Sequence, residues 1–209
     1  MTTRKAVADD PECGGARLRV LRGTPEPDLA KATEAARDLL IALGLDLADD
    51  VLAETPGRMA KGYAELLTPR EFDLTTFPND EGYDEFVIAR RIPFRSLCEH
   101  HLLPFVGVAH VGYMPGDRIL GLSKLARVVE LFACRPQVQE RLTMQIATWL
   151  DGRLKPKGVG VVLEAEHMCM TLRGVQAAGT NTVTSALLGM ARTDARTRQE
   201  FFSLVAAGL

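Results

Sequence analysis

The sequence predicts an α+β fold: an antiparallel sheet with helices packed on one face. Two observations carry that prediction. Segments with helical spacing of apolar residues come in pairs, as do segments with two-residue alternation, instead of alternating one for one. The resulting order is helix, helix, strand, strand, helix, helix, strand, strand, helix, and two β pairs bracketing a helix pair suit an antiparallel sheet with helical cover. The size agrees: 209 residues, 46% hydrophobic and 25% charged, can bury one good core.

Each element has its own signal. Residues 1–27 are polar and carry Gly14, Gly15 and three prolines, and read as a mobile tail. Asp28 to Leu43 places Leu29, Ala32, Ala36, Leu39, Leu40 and Leu43 on one helical stripe. "ETPGRMAKGYAELLTP" is a second helix, with Thr55 as its cap, Pro56 in the first turn, and Met59, Tyr63, Leu66 and Leu67 as its apolar face. Residues 68–84 read as a long, turn-rich loop. "EFVIARRIPFRSL" and "FVGVAHVGYMP" are strands, the second ending at the turn Pro115-Gly116-Asp117. "SKLARVVELFACR" is helical with Leu125, Val128, Val129 and Phe132 inward, and "QVQERLTMQIATWLDGRL" likewise with Val138, Leu142, Ile146, Trp149 and Leu150. "GVGVVLEAEHMCMTLRG" alternates as a strand, and "TNTVTSALLGMA" is a last one. Asp194 caps a closing helix carrying Phe201, Leu204 and Val205.

Charge and composition exclude several functions. A net charge of −2 and a pI near 6.1 argue against a general nucleic-acid binder, but not against an anionic small molecule held by a local cluster of cations. No apolar run reaches membrane-spanning length, and the N-terminus lacks a signal-peptide core, so a cytoplasmic location is expected. In that reducing setting Cys13, Cys98, Cys134 and Cys169 are thiols or ligands, not disulfides.

The polar residues that could do chemistry fall into four stretches. In "SLCEHHLLPF", Cys98 and His101 stand three apart at a strand end, a spacing that lets thiolate and imidazole reach one ion. In "LEAEHMCM", His167 and Cys169 share a strand face with Val159, Val161, Leu163, Ala165, Thr171 and Arg173. Singly, Cys169 reads as a small buried hydrophobe and His167 as a hydrogen-bonded core histidine; together, beside CEHH, a site and a core are equally good readings. Cys98, His101 and Cys169 would leave zinc one open position, the arrangement of a catalytic site. His100 and His167 are then the nearby histidines free for proton transfer, and His110, mid-strand, is structural. In "GLSKLAR", Ser123 caps a helix whose first turns carry Lys124 and Arg127, a cradle for phosphate or an ordinary solvated helix end. Arg173 is a third candidate cation. Gln139 and Glu140 in "QVQER" sit on a helix, where a buried carboxylate could accept from guanine, although most helical glutamates are merely solvated.

Taken together, "SLCEHHLLPFVGVAHVGYMP", "GLSKLARVVELFACRPQVQERLTMQIA", "EAEHMCMTLRGV" and "TRQEFF" give the chain a resemblance to GTP cyclohydrolase I from about residue 30 to the end. The resemblance implies a tunnelling fold (T-fold), with a flexible tail at 1–27, an N-terminal helical region at 28–84 and a catalytic domain at 85–209. It implies a barrel formed by oligomerisation, a homodecamer with active sites between subunits. The implied reaction converts GTP and water to formate and 7,8-dihydroneopterin triphosphate, which opens tetrahydrofolate synthesis. By motif, Cys98, His101 and Cys169 are implied as Zn2+ ligands. His100, His167 and Ser123 are implied as proton-handling groups. Lys124, Arg127 and Arg173, with Ser123, are implied as triphosphate and ribose contacts, and Gln139 and Glu140 as guanine contacts. No nucleic acid or membrane partner is implied. Three departures from the family pattern are Cys134, Gly112 (where Ala is usual) and Ala191 (where Phe is common); none touches a catalytic position. Another enzyme of the same fold, such as a nitrile reductase, would not need the Cys–His–Cys group, and a zinc-stabilised binding protein would share it without releasing formate. Glu99 has no assigned role.

Overall fold

The computed structural model of the chain describes the backbone of residues 17–20 and all of residues 26–207. The remainder of the expected tail, including Cys13, lies outside the described residues. In chain order the elements are β1 (Arg17–Val20), α1 (Leu29–Ala42), α2 (Thr55–Leu66), β2 (Phe72–Pro78), β3 (Val87–Cys98), β4 (Pro104–Met114), β5 (Arg118–Leu120) and α3 (Ser123–Ala133). There follow β6 (Pro136–Gln137), α4 (Gln139–Leu154), β7 (Gly158–His167), α5 (Met168–Thr171), β8 (Asn181–Gly189), α6 (Met190–Thr193) and α7 (Ala195–Ala206).

The α+β prediction holds. The main sheet has five strands in the order β6-β3-β4-β7-β8. Its three long pairings are antiparallel, and only the two-residue β6 runs parallel, against the end of β3. A smaller three-stranded sheet orders β1-β2-β5. β2 therefore bonds across the expected boundary between the N-terminal helical region and the rest.

The core follows from the pleat. Phe105, Ala109, Val111 and Tyr113 of β4 and Val159, Val161, Leu163 and Ala165 of β7 face one side. There they meet Leu125, Val128 and Val129 of α3 and Leu142, Ile146 and Leu150 of α4. Each such side chain contributes about 1.5–3 kcal/mol when fully buried. The opposite face is not bare, which revises the expectation of helices on one face only. There α7 lays Phe201 and Val205 against Val162, Ile88 and Phe86. Phe201 fits because β4 and β7 offer Gly112 and Gly160 beneath its ring; a Cβ on Gly160 would lie 2.6 Å from it. The departure at Gly112 belongs to the same contact, since a Cβ there would stand 2.8 Å from Ile88 Cγ1.

Several other expectations change. The segment expected as a loop at 68–84 contains β2, whose Phe72, Leu74 and Thr76 are buried in alternation. The strand through "EAEHMCM" stops at His167, and the chain turns into α5, so Cys169 and Arg173 are placed by a helical turn and not by strand alternation. Thr55 and Ser123 are the first helical residues of α2 and α3, each without a side-chain capping bond. Asp194 does cap α7, accepting from Thr197 N–H at 2.8 Å, and Phe201 and Val205 are buried while Leu204 is exposed. The α1 helix forms as its spacing predicts and is capped by Asp28. Of its expected apolar stripe only Ala36 is buried, while Leu29, Leu39 and Leu43 lie in the open.

Candidate metal and catalytic site

The CEHH loop is held from three directions. Cys98 N–H donates to Leu103 O at 2.9 Å, and Leu102 N–H donates to Cys98 O at 2.8 Å, closing a tight turn. That turn requires Leu102 at φ 52°, the left-handed region that costs a branched side chain strain. Glu99 N–H donates to Gln137 O on β6 at 3.0 Å. The third hold is an ion pair that no local sequence signal announces: Arg141 on α4 grips Glu99 bidentately, with both N–H···O distances 2.7 Å. The guanidinium's hydrogen bonds lower the Glu99 carboxyl pKa below its ordinary value. Glu99 therefore has a place in the site: it anchors the loop between Cys98 and His100 to α4.

Cys169 reaches the same point from the far end of the chain. β7 pairs with β4 so that His167 sits opposite Phe105, next to the CEHH loop. One turn of α5 then swings Cys169 inward. The ligand atoms of Cys98, His101 and Cys169 all lie within 4.8 Å of one another. Two thiolates and an imidazole around one ion need donor separations near 4 Å, since Zn–S and Zn–N bonds run about 2.3 and 2.0–2.1 Å. Burial and the neighbouring Cys98 both push the Cys169 thiol pKa up. Paired thiols resist ionising together without a cation, and a divalent ion reverses that preference. The donor set, its spacing and its electrostatics therefore fit a metal ion.

The two proton-transfer candidates are both adjacent. His100 Nδ1 lies 3.7 Å from Cys98 Sγ, with its ring exposed. His167 is half-buried, its ring stacked on Phe105 with centroids 4.5 Å apart and planes 3° from parallel. Burial lowers its pKa, and the charge of Glu140 partly opposes that. Arg173 is exposed, with Nη1 3.4 Å from His101 Nε2. Glu140 is exposed in the first turn of α4. Its neighbour Gln139, expected to contact substrate, is only 1% exposed. Its amide is wholly engaged with the protein, including a 2.7 Å bond to His167 Nε2. His110 is buried on β4, as a structural histidine should be, but neither ring nitrogen is hydrogen-bonded; Glu164 Oε1 is 3.7 Å away.

The structure does not bring the SKLAR residues to this group. Ser96 Oγ donates to Ala133 O at 2.7 Å, so it is the C-terminal end of α3 that borders the metal loop. Ser123 is at the other end of that 11-residue helix, about 15 Å away at 1.5 Å per residue. Ser123 and Arg127 instead line a separate cavity of about 820 Å³ with Arg70, Arg95 and Glu130. Among the described residues Arg127 pairs with Glu130 at 3.3 Å, and Glu130 also takes a bidentate grip from Arg70. Burial alone would raise the Glu130 carboxyl, but the Arg70 bonds and both positive charges outweigh it and hold it below its ordinary value. Lys124 sits beside Ser123 in the first turn of α3.

The sequence is similar to that of known proteins over most of its length. The family model described as GTP cyclohydrolase I matches residues 32–206. A GTP cyclohydrolase 1 of Aquifex aeolicus is 52% identical over 178 residues, covering 85% of this chain and 97% of the relative. That of Mycolicibacterium gilvum is 51% identical over 189 residues, 87% of this chain and 93% of the relative. That of Mycobacterium tuberculosis H37Rv is 48% identical over 201 residues, 94% and 96% respectively.

Proposed function

This chain belongs to the GTP cyclohydrolase I family, and from that premise we infer how its residues divide the work on GTP. The chain is a GTP cyclohydrolase: it opens GTP by hydrolysis at guanine C8, releases formate and closes the product to 7,8-dihydroneopterin triphosphate, in pterin and folate biosynthesis. The observation that carries the assignment of roles is the meeting of Cys98, His101 and Cys169 beside His167.

Cys98, His101 and Cys169 would hold a zinc ion. Zinc bound by three protein ligands supplies an acidified water, a nucleophile available near neutral pH. His167 delivers a proton to guanine N7 as the imidazole ring opens. Burial favours its neutral form, so its cation gives up that proton readily. His100, exposed at the mouth of the loop, and Ser123 handle protons during ribose opening and rearrangement. Glu140 accepts from the guanine N1–H and exocyclic amine. Lys124, Arg127 and Arg173, with Ser123, grip the triphosphate and ribose, and that remote binding energy holds the base where the chemistry occurs.

The placing of Ser123 at the end of α3 remote from the metal loop, about 15 Å along the helix from the end that borders it, supports a site shared between copies of the chain, so that the SKLAR turn of one serves the metal group of another. A homodecamer with such interfaces, and a barrel closed by assembly, belong to this proposal. So does a division into an N-terminal helical region at 28–84 and a catalytic domain at 85–209. Among the described residues no helix is long and apolar enough to cross a membrane; a cytoplasmic location is part of the same reading. The test is formate release from GTP, and a fluorescent pterin after oxidation, with and without a chelator. Zinc restoring activity to the chelated protein is expected. A zinc-loaded protein that binds GTP yet leaves C8 in place would refute the role given to the metal group.

A further inference from the structure

Gln139 has an unusual set of partners. Its side chain is buried at the start of α4, yet it touches two strands. The amide Nε2 donates to Leu163 O at 3.2 Å on β7, and to Thr182 O at 2.9 Å and Thr184 Oγ1 at 3.1 Å on β8. Two of those three partners are backbone carbonyls, which can only accept. The NH2 of the amide must therefore face the sheet, and Oε1 must face His167, 2.7 Å from its Nε2. An amide oxygen only accepts, so His167 Nε2 carries the hydrogen. Turning the ring over about Cβ–Cγ would keep its plane, and so its stack on Phe105, but would put carbon where Nε2 stands and lose this bond.

Nδ1 has no protein partner among the described residues, and it is absent from the buried unpaired atoms, which are two nitrogens of His110 and one oxygen of Gln137. The second nitrogen of His167 is thus left without a protein partner and is not sealed in the core. We propose that Gln139 is a positioning residue: it pins the Nε2–H of His167 and so makes Nδ1 the nitrogen that exchanges a proton with the substrate. The proton balance is simple. The cation holds hydrogens on both nitrogens, Nδ1 gives its hydrogen to the base, and the neutral ring left behind keeps the Nε2–H on Gln139. This deepens the function proposed above and rests on its placing of His167 at guanine N7.

Gln139 sits next to Glu140, and substrate contact is the competing role. The two roles predict different kinetics. Removing a guanine hydrogen bond from the ground and transition states alike raises KM, whereas misorienting the acid lowers kcat. Gln139→Met keeps the length and removes the acceptor. Its expected effect on metal-loaded protein is a fall in kcat for formate release of about tenfold or more, with KM for GTP within about threefold and metal content unchanged. In a His167→Ala background the same substitution should change the residual rate by less than about twofold, since Gln139 acts through the missing ring. A raised KM at unchanged kcat, or full additivity of the two substitutions, overturns the proposal. A second measurement needs no turnover: the ring nitrogens of His167, followed by 15N NMR of labelled wild-type protein, should show a protonated Nε2 and an imine-type Nδ1 in the neutral ring. The reverse pattern refutes the assignment even if the enzyme is fully active. Wild-type protein that releases no formate would instead sink the functional reading and leave the nitrogen assignment to the spectrum.

Discussion

The packing of α7 against β7 makes a quantitative prediction through Gly160→Ala. A Cβ at residue 160 would stand 2.6 Å from Phe201 Cε2 and Cζ and 2.8 Å from Cδ2. Ordinary carbon contacts need about 3.5–4.0 Å, so the ring must retreat by about 1 Å. It has little room: Phe201 is fully buried, with Phe86 and Phe202 each 5.5 Å away by ring centroid. Overpacking of this kind costs about 1–3 kcal/mol, and the rigid backing places it in the upper half of that range. Phe201→Ala alone should cost about 3–5 kcal/mol by opening a cavity. In the double variant the new methyl enters that cavity, so the two costs should fall short of their sum by at least about 1 kcal/mol. Urea unfolding of the three variants, with m-values checked for constancy, measures the cycle. Costs that add within about 0.5 kcal/mol would show that the ring and Gly160 are not in the tight contact described.

Other perturbations address the site more directly. Cys169→Ser should lose both bound metal and turnover; full zinc occupancy by elemental analysis would show the ligand assignment to be wrong. His167→Ala should keep its metal and stall ring opening, with formate release down by about a hundredfold or more; near-normal release removes its role as acid. Glu99→Gln unpairs Arg141 and frees the CEHH loop, and should weaken metal affinity or activity by about 10–100-fold; unchanged metal titration and rate would make the ion pair ornamental. Glu130 has a depressed pKa in the folded chain. The stability it contributes is therefore present above its ordinary carboxylate range and is lost as pH falls through the lower folded value. Glu130→Gln should accordingly flatten the acid limb of a Tm-against-pH curve while leaving the curve's slope near neutrality unchanged.

How much of this is legible in the sequence depends on whether the signal is local. Helices α3 and α4 and strands β4 and β7 follow from spacing, because their buried faces repeat at short range. The C-x-x-H pair is equally local. Strand alternation brings Cys169 to the right site by the wrong geometry: it runs on in the letters after His167, but the backbone turns into α5. Strand β2 is hidden because its buried face includes Thr76 and its flanks are rich in turn formers. Glu99 cannot be interpreted alone, since its partner Arg141 is 42 residues away and only the parallel pairing of β6 with β3 brings α4 alongside the loop. Gln139 and Glu140 are not told apart in the sequence, where an amide and a carboxylate next to each other on a helix look alike. Only burial separates them: Glu140 faces out, and Gln139 faces two strands. The stripe on α1 shows the converse, with correct periodicity and a face that remains open.

The left-handed Leu102 carries a consequence for laboratory evolution of this chain. Its backbone costs about 1–2 kcal/mol relative to an unstrained residue, and its side chain is 46% exposed. Leu102→Gly removes the strain while adding about 0.5–1 kcal/mol of unfolded-chain entropy, for a net gain between about zero and 1.5 kcal/mol. A library scored on heat survival alone would therefore tend to enrich it. The same substitution widens the conformations open to the turn that seats Cys98 and His101, so selected clones would tolerate heat better and hold metal less firmly. Screens on this scaffold should score retained metal alongside melting temperature from the first round.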